Sequence, residues 1–344
     1  MSSERHGKMR TSLLLTVLMV LMTQVGYLDV LNTWSEGDHT LDATTTASES
    51  GSASSQSNFT ASAEGADLTV DVPMTNITFQ YDANAVSGSS GSTPLVYTND
   101  RMAAGSYHTC SIVDDGDLKC WGRDNSGQLG DGGTTNTDTN APSATSIDLG
   151  TGRTAVAVSG GAHNTCAILD SGELKCWGDN DFGQLGDGGN TDTNTPSSTA
   201  ISFGSGRTAD AVSAAHYFTC AILDNGDLKC WGRDNYGQLG DGGTTNTDTN
   251  APSATSIDLG TGRTAVAVST SGETACAILD NGDLKCWGRG EWGNLGDGTT
   301  TDTNAPSSTA VDLGSGRTAL AVAVGRKHTC AILDNGDLKC WGRD

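Results

Sequence analysis

Cys220-Ala-Ile-Leu-Asp-Asn-Gly-Asp-Leu-Lys-Cys230-Trp231-Gly232-Arg-Asp-Asn-Tyr-Gly237-Gln-Leu-Gly240 is the stretch that decides the fold. Its Cys-to-Cys unit recurs at Cys110/Cys120, Cys166/Cys176, Cys220/Cys230, Cys276/Cys286 and Cys330/Cys340. A period of about 55 residues marks a repeat architecture. Within the unit, Leu223 and Asp227 flank Asp224-Asn225-Gly226, which suits a three-residue hairpin loop with Gly in the left-handed position. Pairing Leu223 with Asp227 sets Ile222 opposite Leu228 and Cys220 opposite Cys230, close enough for a disulfide to close. The same register follows in the Asp114-Asp115-Gly116 and Asp170-Ser171-Gly172 variants. All ten cysteines therefore read as intra-hairpin disulfides. Zinc knuckles need a much shorter Cys spacing or clustered His, so no metal site is expected at these cysteines.

Each unit offers four strand candidates. In the third copy they are Ala209–Ser213, Thr219–Leu223, Asp227–Trp231 and Ser253–Leu259, the last after a Gly-rich loop. Four short antiparallel strands per unit, with Gly and Trp at fixed offsets, predict an all-β chain built as a β-propeller. Solenoid units are usually shorter and need dedicated caps.

The Trp231 to Gly240 run, the Pro252 that follows it, the Ala267-Val-Ser269 strand and the Gly325 to Cys330 segment resemble the regulator of chromosome condensation repeat family. The resemblance covers residues 93–344 and implies a propeller, usually of seven blades. Paired cysteines in each hairpin depart from that pattern and suggest an exported branch. The repeats are also too few for seven blades. Pro94–Tyr97 resembles a fourth strand and Leu338–Trp341 a third, so the two would complete one blade of a five-blade ring. The alternative is a truncated seven-blade ring, favoured by the stop in mid-motif at Asp344.

Arg5, Lys8 and Arg10 precede an uncharged run from Thr11 to Leu28, the pattern of an export signal. Residues 1–31 read as a signal peptide or as an uncleaved anchor, since the run is just long enough to span a bilayer. Export agrees with disulfide formation. Residues 32–92 are rich in Ser, Thr and Gly and cannot bury enough surface to order, so a mostly disordered spacer is expected. Asn58-Phe-Thr60 and Asn76-Ile-Thr78 are glycosylation sequons within it. Leu68–Val72 and Ile77–Tyr81 alternate like short strands.

The chain carries 41 Asp+Glu against 19 Lys+Arg, net -22. Such acidity argues against nucleic acid, whose binding relies on basic surface. Chromatin binding and nucleotide exchange are therefore not carried over from the family. No nucleophile elbow, zinc-protease helix or P-loop occurs, and no cofactor is expected. The recurring Asp residues of the hairpins are turn chemistry. The Asp241–Asn250 loop reads as a self-satisfied polar loop rather than a calcium site. His108, His163, His216 and His328 precede the first Cys of four units, and this recurrence reads as structural.

Two positions vary between copies, as a binding face would. The residue before Gly-x-Leu-Gly is Ser126, Phe182, Tyr236 or Trp292, and the loop ahead of the first Cys carries Tyr107, His216-Tyr217 and Arg326-Lys327. Aromatic and basic residues on a rigid rim suit recognition. Interblade packing is the competing role for the aromatics. The expectation is an exported or cell-surface, non-catalytic module that binds a protein or glycan. The alternatives are an extracellular enzyme inhibitor and a polysaccharide-active enzyme.

Overall fold

The computed structural model describes residues 101–113, 115–133, 138–243 and 247–343, together with the backbone of three strands nearer the amino terminus. The chain divides into two compact units, Met1–Ser89 and Ser90–Asp344. In the first, β1 (Leu41–Ala43), β2 (Phe59–Glu64) and β3 (Asp67–Thr69) form an antiparallel sheet in that order. β3 overlaps the expected Leu68–Val72 strand. The apolar run Thr11–Leu28, both sequon asparagines, the Ile77–Tyr81 candidate and Pro94–Tyr97 lie outside the described residues. Among the described residues no helix is long and apolar enough to cross a membrane.

The second unit is a succession of three-stranded antiparallel sheets. The first holds β4 (Met102–Ala104), β5 (His108–Ile112) and β6 (Leu118–Gly122), and the second β7 (Ala155–Gly160), β8 (Asn164–Leu169) and β9 (Leu174–Gly178). Next come β10 (Ala209–Ala214), β11 (Phe218–Leu223) and β12 (Leu228–Gly232), then β13 (Ala265–Ser271), β14 (Thr274–Leu279) and β15 (Leu284–Gly288). The fifth holds β16 (Ala319–Val324), β17 (His328–Leu333) and β18 (Leu338–Gly342).

The hairpin register is the expected one. Leu223 N–H donates to Asp227 O at 2.9 Å and Gly226 N–H to Leu223 O at 2.8 Å. Gly226 has φ 79°, where a side chain would be strained. Cys220 faces Cys230 and Ile222 faces Leu228. All five pairs are bonded, Cys110–Cys120, Cys166–Cys176, Cys220–Cys230, Cys276–Cys286 and Cys330–Cys340.

The fourth strand is a correction. Ser253–Leu259 forms no strand and touches its sheet at separate points: a single bridge from Thr249 to Gly232 ahead of it, and a 2.9 Å bond from Ile257 N–H to Leu228 O. Local bonds consume the backbone groups in between. Ser253 Oγ accepts from Thr255 N–H at 3.2 Å, and the Lys229 ammonium donates to Ala254 O at 3.1 Å. Pro252 brings no N–H. Thr139, Thr193 and Thr303 make the same bridge in the first, second and fourth sheets.

Period-two alternation gives each sheet two apolar faces. Cys166, Ile168, Leu174 and Cys176 pack against Ala209, Ala221, Leu223 and Trp231 of the following sheet, while Ala167, Leu169 and Trp177 pack against the preceding one. Equivalent cores join the third sheet to the fourth and the fourth to the fifth. A conserved geometry locks each junction: Trp177, Trp231, Trp287 and Trp341 donate from Nε1 to the carbonyls of Gln128, Gln184, Gln238 and Asn294 at 2.9–3.1 Å. The outer face of the fifth sheet is open. Leu338 and Ile332 are 67% and 45% exposed, whereas their counterparts Leu284 and Ile278 are fully buried.

One buried acid, Asp234, is held well above the ordinary carboxylate range. Asp234 is 1% exposed, and its carboxylate accepts from the backbone N–H of Leu239, at 2.9 Å to Oδ1, and from that of Thr247. Burial, with Asp241 and Asp248 nearby, raises its pKa to about 6 against the pull of the Leu239 and Thr247 N–H groups. The second sheet holds Asn180 at this place, and its Nδ2 donates to Asp187 Oδ1 and to the carbonyls of Gly189 and Thr191. Asp234→Asn is therefore expected to stabilise the fold at pH 7.5 by about 1–2 kcal/mol, the scale of removing a buried charge that Asp241 and Asp248 repel. An acid with a raised folded pKa costs stability above that pKa, and the cost disappears as pH falls towards its unfolded value. The difference between variant and parent should thus narrow below about pH 6, in chemical unfolding measured across pH. Equal stability at pH 7.5 would contradict this reading.

Candidate functional site

In every sheet the turn leading into the middle strand meets the residue that follows Trp-Gly at the end of the third strand. Arg123, Asp179, Arg233, Arg289 and Arg343 donate their backbone N–H to the carbonyls of Tyr107, His163, Tyr217, Glu273 and Lys327, each at 2.9 Å. This repeated bond defines one rim of the unit, opposite the Asp-Asn-Gly hairpin ends.

Side chains from neighbouring sheets stack along that rim. Arg123 lies over the Tyr107 ring at 5.1 Å, and Tyr107 stacks on His163 at 4.9 Å. His163 is 6.2 Å from His216, which stacks on Tyr217 at 3.9 Å. Tyr217 meets Phe182 edge-on at 4.9 Å, and Arg233 covers both rings at 5.1 and 4.7 Å. Further round, Arg289 covers Tyr236 at 4.6 Å and Trp292 at 4.4 Å, and the Lys327 ammonium sits 4.7 Å from the Trp292 ring. Such contacts stabilise by about 0.5–1 kcal/mol each where exposed. Their larger effect is to hold long basic side chains in place.

The chain's cations separate by role. Lys119, Lys175, Lys229, Lys285 and Lys339 donate to loop carbonyls that pin the outer segments. Arg153, Arg207, Arg263 and Arg317 pair with Asp170, Asp224, Asp280 and Asp334 at the hairpin ends. Arg101 donates to Val113 O. The remaining cations of the described sheets, Arg123, Arg233, Arg289, Arg326, Lys327 and Arg343, all belong to the rim. Among the described residues, Arg289 alone of these has carboxylate partners within ion-pair distance, Glu273 at 3.6 Å and Glu291.

Histidines fall into two groups. His108 is a strand residue, 3% exposed, with Nε2 2.7 Å from Thr165 Oγ1; burial, aided by His163, lowers its pKa to about 4. His328 is its counterpart in β17. His163 and His216 instead stand in the rim turns. Burial lowers the pKa of both; Arg123 adds to this at His163 against Asp179, and His163, Arg326 and Arg233 add to it at His216 against Glu273.

The variable positions singled out from the sequence thus converge. Phe182, Tyr236 and Trp292 lie half-buried on the rim beside Tyr107, His216, Tyr217 and Lys327, with Arg326 close enough to influence His216. The two roles weighed for the aromatics coexist, because Phe182 packs on Tyr217 of the next sheet while staying on the rim. Sequence reasoning missed Arg123, Arg233, Arg289 and His163. The signal for the arginines was the residue after Trp-Gly, Arg in four repeats and Asp179 in the second. Asp179, Asp181 and Asp192 bring carboxylates within 4.8 Å of one another, an acidic break in the basic series.

Profiles of the regulator of chromosome condensation (RCC1) repeat match residues 101–128, 155–184, 210–238 and 320–344, and also 115–168 and 171–222. The chain is similar to the ultraviolet-B receptor UVR8 of Arabidopsis thaliana, 34% identical over 243 residues, 70% of this chain and 52% of that protein. It thus spans about half the length of this relative. Human WBSCR16 superposes with a TM-score of 0.61 at 21% identity, covering 72% of this chain and 64% of that one. Prp20p from Saccharomyces cerevisiae, whose structure was described with its binding to Gsp1p and histones, gives 0.59 at 17% identity over 70% of this chain and 57% of that one.

Proposed function

Because the repeats of this chain belong to the regulator of chromosome condensation repeat family, we propose that it is a non-catalytic binding module, exported to an oxidising compartment, that recognises a protein through the rim of its sheets. The observation that carries the reading is the convergence on one rim of the aromatic and basic residues that vary between otherwise near-identical repeats. Arg and aromatic residues are the side chains that dominate binding hot spots. Their guanidinium forks are held by stacking, so less side-chain freedom is lost on binding. A protein fits better than a glycan, because the ring faces a sugar would stack on are occupied by arginine, lysine or imidazole. Prp20p, a protein of similar fold, was described with its binding to Gsp1p and histones, which is consistent with protein recognition. Export is supported by the bonded cysteine pairs.

The test is saturation binding of the secreted full-length chain to the surface of cells that produce it, beside Arg233→Gln/Tyr217→Ala. Saturable binding is expected, with affinity falling about tenfold in the variant, as the loss of one charged hydrogen-bonding group implies. Protease treatment of the cells should abolish it. Blocking with iodoacetamide before and after reduction should find the cysteines of the secreted chain protected. A variant that binds like the parent, or free thiols in the secreted chain, would overturn the proposal.

A further inference from the structure

We propose that the partner is a polypeptide segment of alternating charge, acidic where it meets the first and third sheets and basic between them; this rests on the rim being the binding face. The charge of the rim changes from sheet to sheet through two positions, the residue after Trp-Gly and the one two places on. They read Arg123/Asn125, Asp179/Asp181, Arg233/Asn235 and Arg289/Glu291. Where the second residue is Asn, the arginine keeps its full charge. Asn235, with its amide oxygen turned to the guanidinium, accepts from Arg233 Nε at 3.0 Å and orients it without neutralising it. In the fourth sheet Glu291 accepts from Arg289 Nε at 3.0 Å, and Glu273 adds a second carboxylate. In the second sheet the sign inverts: Asp179 and Asp181, with Asp192, form a patch whose own polar contacts are to Gln184 Nε2 and backbone N–H groups.

The rim therefore presents positive, negative and positive sites on the first three sheets, a fourth where Glu273 and Glu291 outnumber Arg289, and Arg326, Lys327 and Arg343 on the fifth. Arginine forks suit carboxylates in two-point contact. A uniform polyanion gains at Arg123 and Arg233 but must cross the aspartates of the second sheet, so that patch discriminates against sulfated polymers and nucleic acid. A segment with Glu or Asp flanking Lys or Arg meets every site with the opposite sign. His163 and His216 lie between the two positive sites. Around them stand Tyr107, Gln128, Arg123 and Asp179 for His163, and Tyr217, Glu273, Arg233 and Arg326 for His216.

The experiment is titration of the secreted full-length chain with three probes: a peptide of about a dozen residues carrying Glu clusters on each side of a central Lys pair, an all-Glu peptide of the same length, and heparin. At ~3.3 Å per extended residue such peptides span neighbouring sheets. The Lys-centred peptide is expected to bind tightest, and more weakly as salt rises. Arg123→Gln and Arg233→Gln should each weaken it about tenfold. Asp179→Asn/Asp181→Asn should weaken the Lys-centred peptide and strengthen the all-Glu one. An unchanged melting temperature verifies folding of each variant. Equal or tighter binding of the all-Glu peptide or heparin to the parent chain would overturn the inference, as would indifference of the probes to the arginine variants. If cell binding still depends on Arg233 and Tyr217 while the charged peptides fail, the charge pattern is wrong and the rim reading stands. If cell binding ignores the rim variants, both fall.

Discussion

Unfolded in the presence of a phosphine reductant and then freed of denaturant with the thiols kept reduced, the repeats are expected not to regain their cooperative fold. Each cysteine pair closes a loop with a sequence separation of 10. The chain-entropy model gives about 3 kcal/mol for a loop of this size. Summed over the hairpins, this equals or exceeds the ~5–15 kcal/mol of net stability typical of a domain. The sheets have little to replace it with, since each has three short strands, joined in the first four by a tethered segment, rather than a full four-stranded unit. Small domains with thin cores depend on such staples. The sulfurs are shielded, with Cys residues between 0% and 5% exposed in the first four hairpins, so reductant alone should act slowly on the folded chain. Circular dichroism against temperature, with and without prior reduction, reads the result. A reduced chain that refolds with its melting midpoint unchanged would show that packing alone holds the sheets. Replacement of one pair, Cys220→Ala/Cys230→Ala, should cost about 3 kcal/mol by the same model.

Trp231→Ala is expected to destabilise by about 3–5 kcal/mol, the range for removing a large buried aromatic side chain. Trp231 is fully buried, lies 5.9 Å from the Phe203 ring, and donates to Gln184 O at 3.0 Å. Gly186 shows how closely the junction is fitted, because a Cβ there would stand 2.5 Å from Trp231 Nε1. It also has φ 73°, so Gly186→Ala suffers both strain and a clash. The damage should be directional. In a linear array each unit is stabilised by its neighbours, and weakening one junction uncouples the segments on either side. Chemical unfolding of Trp231→Ala should therefore broaden or split, with the segments before and after the second-to-third-sheet junction separating. A single transition moved by under about 1 kcal/mol would mean that the tryptophan is not the lock of the junction.

Local sequence carried the hairpins completely. Leu223, Asp224-Asn225-Gly226 and Asp227 are consecutive, and once the turn is set every residue pair down to Cys220 and Cys230 follows from the period of a strand. The repeat of that register in each copy made the disulfide pairing readable without coordinates. The Ser253–Leu259 segment was misread because its apolar spacing suits a strand. Its backbone groups are claimed by Ser253 Oγ and by the Lys229 ammonium, whose reach across the sheet no linear spacing reveals. The histidines were grouped by proximity to cysteine, yet one residue of offset separates buried His108 from rim His163, since successive strand residues face opposite ways and the turn begins just before them.

The candidate site was legible in its parts but not as a surface. Variation at Phe182, Tyr236, Trp292, Tyr107, His216-Tyr217 and Arg326-Lys327 could be seen by aligning the copies by eye. Their meeting could not, because Phe182 reaches Tyr217 and Trp292 reaches Lys327 only across a junction between sheets. The arginines after Trp-Gly, replaced by Asp179 in one repeat, showed no role in the sequence; the backbone bond to each rim turn puts Arg123 and Arg233 over the rings. The sequence by itself determined the β-hairpin, its cysteine pairing and the repeat, all consequences of spacing within one short segment. Only the stacking of sheets decided which charges are spent on the framework and which remain on the rim, because that depends on contacts between segments some fifty residues apart that packing alone brings together.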